Sequence, residues 1–235
     1  TMQSTPLIGL IGSDGAYGRW LRVFFEQRMG LRVLGHDPAV PGSDSLERLL
    51  DEADVLLFAV PIRRTVEVVD ACVARSAGRE HGRLWLDITS IKQAPVAAML
   101  CSQAEVVGLH PMVAPPKAPT LKGRVLVICE ARLGVWRRWV AQLLDALQAE
   151  CVRVSPEHHD RGMALIQAMV HAGHLAEAGV LRDYAAVLGA PADLLPLRTA
   201  SFELDVAMMT RILSLNPQIY EDIQFCNPHV PEMLD

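Results

Sequence analysis

The chain has 235 residues, with 22 Lys and Arg against 27 Asp and Glu for a formal charge of −5, and 51% of it is hydrophobic but only 5% aromatic. That apolar content excludes disorder, which requires low hydrophobicity and high charge, and the length allows one large core or two modest ones. A mildly acidic chain without a basic tract argues against nucleic acid as a partner, because phosphate binding needs clustered Lys and Arg. A membrane is not expected either. The longest clean apolar run, 55–62, falls far short of the roughly 20 residues of a spanning helix. Residues 1–12 lack the cationic segment of a secretory signal, and glycines break their apolar stretch. The five scattered cysteines contain no CxxC, so reduced thiols in a cytoplasmic protein are expected rather than a disulfide framework or structural zinc.

Along the chain, short runs of Val, Leu and Ile at 7–11, 31–34, 55–60, 84–88, 106–109 and 124–129 read as strands buried on both faces. They alternate with helical-period segments at 17–29, 45–51, 64–76, 94–101 and 136–149. This alternation predicts an α/β domain over 1–153, with βαβ units and a mostly parallel sheet covered by helices. Ligands of such sheets lie beyond the carboxyl ends of the strands.

Between the first strand and its helix stands Gly12-Ser13-Asp14-Gly15-Ala16-Tyr17-Gly18, a variant of the GxGxxG loop with serine at the first fingerprint position. In that loop the middle glycine lets backbone approach a pyrophosphate, and the last packs the helix onto the strand. An ordinary tight turn would also use such glycines. Asp37 decides between the two, because it follows the second strand 19 residues past Gly18, where a carboxylate grips the ribose hydroxyls of NAD. Its charge disfavours the 2′-phosphate of NADP, although Arg32 and His36 lie close by in sequence. The expected cofactor is NAD, held by Gly12, Ser13, Gly15, Ala16, Tyr17, Gly18, Asp37, Val60 and Pro61.

Two later strand ends carry polar groups that a core would not select. The first is Asp87-Ile88-Thr89-Ser90-Ile91-Lys92, in which Ser90 suits a helix N-cap and Lys92 a solvated helix position. The second is Gly108-Leu109-His110-Pro111-Met112, where the place of His110 before a rigid proline aims its imidazole at the crevice. A base of near-neutral pKa is what hydride removal from an alcohol carbon requires.

After Cys151 the texture becomes helical. Ser155-Pro156-Glu157 supplies an N-cap, an N1 proline and a first-turn acid, and apolar residues then occur almost all round to Leu188. Gly189 to Pro191 breaks this helix, a second is expected over 194–215, and Asn216-Pro217 starts a third. Residues 154–235 form the expected second domain, with four arginines against 11 acidic residues. His158, His159, Asp160, His171 and His174 could suggest a metal, but no HExxH or thiolate set completes a site, and none is expected. His159-Asp160 reads as an anchor of this helix to the other domain. Arg211, in an apolar helix, is either a surface cation or a clamp for a ligand carboxylate.

Together GSDGAYG, DITSIK, GLHPM, SPEHHD and TRILSLNPQIYEDI resemble, in order and from about Pro6 through Ile223, the prephenate/arogenate (cyclohexadienyl) dehydrogenases of tyrosine biosynthesis. The resemblance implies a Rossmann-type domain and a helical domain that forms a homodimer. It implies NAD-dependent oxidative decarboxylation of a dicarboxylate substrate, prephenate or arogenate, without a fused mutase or regulatory segment. Matched onto this chain, His110 accepts the proton of the 4-hydroxyl, Ser90 contacts the same hydroxyl, Arg211 holds a carboxylate and His171 is a polar substrate contact. The chain departs from the family pattern at Val113-Ala114-Pro115-Pro116, where a glycine usually stands, and in a helical domain shorter than the family's. A catalytically silent NAD-binding dimer would keep the loop and Asp37 without needing His110 or Arg211. A hydroxy-acid or imine oxidoreductase of similar layout usually needs a lysine in its helical domain, and residues 154–235 contain none.

Overall fold

The computed structural model of the chain describes residues 5–214 and 216–235. It divides into two compact units, one ending at His159 and the other beginning at Asp160, a few residues beyond the domain boundary expected at 153.

The first unit contains a seven-stranded sheet in the order β2-β1-β3-β4-β5-β6-β7. Its strands are β1 (Ile8–Ile11), β2 (Val33–His36), β3 (Val55–Phe58), β4 (Leu84–Asp87), β5 (Glu105–Pro111), β6 (Val125–Arg132) and β7 (Glu150–Arg153). All neighbouring pairs run parallel except β5 and β6, which are antiparallel. The helices are α1 (Ala16–Val23), α2 (Leu46–Glu52), α3 (Ile62–Ser76), α4 (Gln93–Leu100) and α5 (Arg137–Leu147). The chain leaves β1 toward β2 and then returns to place β3 on the other side of β1. That reversal opens the crevice in which doubly wound sheets bind ligands.

Why the strands read as unbroken apolar runs is plain from the packing. Val55 and Leu57 of β3 join a core with Leu21, Phe24 and Phe25 of the α1 side and Trp139 and Leu143 of α5. Leu56 and Phe58 face the opposite core, with Leu49 of α2, Val69 and Cys72 of α3 and Met99 of α4. A strand covered on both faces has no polar side to show.

The structure shifts several expected boundaries. Helix α1 continues into a wider π-helical turn over Phe24–Arg28, and the Leu31 amide closes it on the Phe25 carbonyl at 2.9 Å, so β2 starts two residues later than expected. The edge strand β7 carries charged ends and largely exposed side chains, and therefore leaves no apolar signal.

In the second unit, α6 (Pro156–Met163) begins at the Ser155 cap, whose Oγ accepts from the His158 amide at 3.1 Å. It passes through a π-helical turn (Ala164–Met169) into α7 (Val170–Leu188). Expectation fails next. No helix runs continuously from 194: α8 (Pro191–Leu194) is followed by a short 3-10 turn, and α9 spans Ala200–Leu213. Pro196 cannot extend an α-helix, and Thr199 restarts one by accepting from the Phe202 amide at 3.1 Å. The expected end at Leu215 lies outside the described residues. Helices α10 (Pro217–Cys226) and α11 (Val230–Leu234) complete the unit. Asn227 ties α10 back to the start of the unit by donating to the Asp160 carbonyl at 2.8 Å. Among the described residues, no helix is long and apolar enough to cross a membrane.

Leu57 is 1% exposed and sits in the third-placed strand of the sheet. Leu57→Ala should lower unfolding free energy by about 2–5 kcal/mol in urea denaturation, through lost transfer energy and the cavity left behind. A loss below about 1 kcal/mol would contradict the two-sided core.

Candidate active site

The glycine loop hooks onto the end of β2, with the Gly12 amide donating to the His36 carbonyl at 2.9 Å. Its three glycines answer to different constraints. Gly12 has φ +84°, and a Cβ there would lie 2.3 Å from the Ala59 carbonyl oxygen beyond β3. At Gly18 a Cβ would meet the Gly12 oxygen at 2.1 Å, so this residue lets α1 seat against the loop. Gly15 differs: a Cβ would reach nothing closer than 3.4 Å. It is the helix N-cap without a side-chain cap, so a methyl at Gly15 would fit the protein and instead fill space in front of α1. In dinucleotide-binding folds the space beside such a helix N-terminus holds a pyrophosphate. Val60 borders Gly12, and Pro61 is the N-cap of α3.

Asp37 directly follows β2. Its two carboxylate oxygens accept from the Asp14 and Ala39 amides, each at 3.0 Å. Each oxygen keeps acceptor capacity for a further donor, so these amides orient the carboxylate without exhausting it.

Beyond β4 the structure overturns two expectations. Ser90 is not the helix N-cap; that position falls to Lys92, and α4 has no side-chain cap there. Lys92 is not solvated either, because it is completely buried. Its ammonium donates to Asp87 Oδ2 at 2.5 Å and to the Leu109 carbonyl at 2.7 Å, and the Thr89 amide donates to the same carboxylate oxygen at 3.1 Å. Gly108 stands opposite Asp87 in the β4–β5 register. A Cβ on Gly108 would come within 3.3 Å of Lys92 Cδ and 3.2 Å of Asp87 Oδ1. The glycine of GLHPM is therefore the room in which the ion pair sits, and it is the sequence signal that could have revealed Lys92.

His110 follows one residue after the carbonyl that Lys92 holds. It is 3% exposed, and its Nδ1 lies 2.7 Å from Nε2 of the equally buried His159. The two rings meet edge to face at 76°. Burial is the main force lowering the His110 pKa well below the usual imidazole value, followed by the repulsion of His159 and Lys92. The anchor expected of His159 is thus a bond to His110 itself.

The segment after β5 is tied to α1. Tyr17 donates its hydroxyl to the Val113 carbonyl, and Trp20 Nε1 donates to the Ala118 carbonyl at 3.1 Å. Burial raises the Tyr17 pKa, keeping it a donor.

In the helical unit, His171 packs edge to face on Tyr220, with ring centroids 4.6 Å apart. His171 Nδ1 and the Tyr220 hydroxyl are buried without a partner among the described residues. Burial raises the Tyr220 pKa while the Arg211 charge draws it back, and burial, then His174, lowers that of His171. Arg211 is exposed on α9. Buried polar atoms of this kind are uncommon in native proteins; these two sit on rings in contact, and the Arg211 charge reaches Tyr220. Tyr220 carried no distinct signal of its own, since an aromatic at helical spacing reads as core.

A mostly parallel sheet with a glycine loop at its topological switch is the layout of a nucleotide-binding domain. Comparison with known proteins narrows this. Residues 41–155 match the prephenate dehydrogenase nucleotide-binding domain, and residues 155–235 match the prephenate dehydrogenase dimerization domain. The chain belongs to the prephenate dehydrogenase family. It is 30% identical over 224 residues to the T-protein of Enterobacter agglomerans, covering 91% of this chain and 55% of that protein. It is 26% identical over 251 residues to a probable arogenate/prephenate dehydrogenase of Methanocaldococcus jannaschii, covering 99% of this chain and 54% of that one. The chain therefore spans about half the length of these relatives. Its fold resembles the A. aeolicus prephenate dehydrogenase solved with hydroxyphenyl propionate and NAD+, with TM-score 0.78, 19% identity, and coverage of 100% and 87% of the two chains.

Lys92→Met should destabilise the protein by about 3–5 kcal/mol in denaturant titration, because it strands a buried carboxylate. The double variant Lys92→Met/Asp87→Asn should recover most of that loss. Equal stability of Lys92→Met and the unmodified chain would contradict the buried pair.

Proposed function

We propose that this chain carries out the NAD-dependent oxidative decarboxylation of prephenate or arogenate, giving 4-hydroxyphenylpyruvate or tyrosine. The observation that carries the reading is His110, a buried imidazole held neutral on the carboxyl edge of the same sheet that presents the glycine loop. Bound NAD supplies the hydride acceptor. The room before Gly15 and the uncapped start of α1 fit its pyrophosphate, and the oriented Asp37 carboxylate fits ribose hydroxyls and repels a 2′-phosphate.

In this reading the 4-hydroxyl of the substrate ring gives its proton to His110, and Ser90 contacts the same oxygen. A neutral imidazole accepts that proton where an imidazolium could not. Arg211 holds a substrate carboxylate, with His171 as a further polar contact; a dicarboxylate needs a placed cation in a helical unit this poor in basic groups. Loss of CO2 and gain of aromaticity supply the driving force, so the protein's task is positioning.

The chain is proposed to act as a homodimer. Helix α7 buries none of its residues within one copy, and Val180, Val187, Leu204 and Phe225 are all more than half exposed. Apolar surface of this extent marks an interaction face, in keeping with the dimerization-domain match.

The test is NADH absorbance with prephenate, arogenate and a no-substrate control. Turnover of at least one substrate is expected. Arg211→Ala should raise the KM by about tenfold or more with a smaller change in kcat, whereas His110→Ala should cut kcat by about 10² or more with NAD affinity intact. NAD binding without turnover of either substrate would leave a silent binding module in place of the enzyme.

A further inference from the structure

The His110–His159 contact says more than that the two rings touch. A 2.7 Å separation between His110 Nδ1 and His159 Nε2 is a hydrogen bond, and one hydrogen stands between the two nitrogens. If His159 supplied it, His110 would carry its own proton on Nε2 and could only donate to a substrate oxygen. If His110 supplies it, Nε2 carries the lone pair and can accept. The second arrangement alone makes His110 a base.

We infer that His159 is a positioning residue that accepts from His110 Nδ1–H, fixes the accepting tautomer of His110, and helps the pair hold the substrate's hydroxyl proton until the aromatised product takes it back. This rests on the proposed reaction, whose balance requires such a store. The substrate O–H bond breaks and its proton goes to His110 Nε2, while the hydride on the same carbon goes to NAD as the oxidant. The bond from the ring to its carboxylate then breaks, its electron pair enters the ring, and CO2 leaves. The ring oxygen, now a phenolate, takes the proton back from Nε2. No proton is released overall, so the base needs no exit to solvent, and both histidines are 3% exposed.

The surroundings fit a short-lived store. His159 sits in the first turn of α6, where its amide donates to the Ser155 carbonyl at 3.0 Å, so the helix start sets its position. When His110 is protonated, its Nδ1–H bond to His159 becomes charge-assisted and stronger. The charged and titratable groups facing His110 are His159 from α6 and Lys92 ahead of α4, the latter paired with Asp87 of β4. Burial and the Lys92 charge disfavour the imidazolium, which speeds the proton's return.

Long-range 1H–15N correlation spectra of the 235-residue chain at neutral pH should show His110 protonated on Nδ1; protonation on Nε2 overturns the inference. That readout does not depend on turnover, so it stands even if prephenate and arogenate prove not to be substrates. With NAD and substrate, His159→Gln, whose amide oxygen can still accept, should keep kcat within about tenfold. His159→Leu should lose about 10²–10⁴ in kcat with KM nearly unchanged, the scale of a misplaced tautomer in other catalytic histidines. Full activity in His159→Leu, or a Gln variant as impaired as Leu, would overturn the role.

Discussion

A lysine ammonium with no water around it must be held by protein, and in this chain that requirement organises the region between β4 and β5. Lys92 reaches back to Asp87 at the end of β4 and across to the Leu109 carbonyl of β5. It thereby fixes the backbone on one side of His110 while placing a positive charge near its ring. The pair is expensive to bury and more expensive to break. What it secures is position: the strand end and the residue before the histidine are held by one cation.

From that constraint the proposed chemistry follows with few further parts. Burial, with the Lys92 charge added, keeps His110 neutral, His159 orients it, and Pro111 continues the strand beyond it. The glycine loop opens on the same edge of the sheet, because parallel strands present their carboxyl ends together. Tyr17 and Trp20 of α1 hold the segment that follows β5. Helix α1, which begins at the glycine loop, and β5, which carries His110, are therefore mechanically joined. In the helical unit, His171 and Tyr220 hold buried polar atoms without a partner among the described residues, and the Arg211 charge reaches Tyr220.

Much of this was legible in the residues. Strands buried on both faces announce themselves as apolar runs, and the glycines at 12, 15 and 18 mark the tight turn from β1 into α1. The Ser155 cap and the change to a helical second half were legible too. Three things were not. The edge strand β7 has no apolar face to betray it. Pro196 and Thr199 split a helix whose apolar period continues through the break. Lys92 reads as a surface residue because its burial depends on Gly108 and Asp87, which lie on two neighbouring strands and meet it only in the fold. Pairings across a sheet leave no periodic trace along the chain. For the same reason His159 showed its place near the helix start but not its partner 49 residues earlier.

The central claim is that the fold keeps the His110 imidazole neutral so that it can act as a base. Its most direct test is the pH dependence of kcat/KM for the unmodified chain with NAD and its substrate. A histidine whose pKa is lowered by burial, His159 and Lys92 is active when deprotonated, so activity should be level down through pH 6.5, the ordinary imidazole value. It should fall only at more acidic pH. An acid limb at or above pH 6.5 would contradict the account.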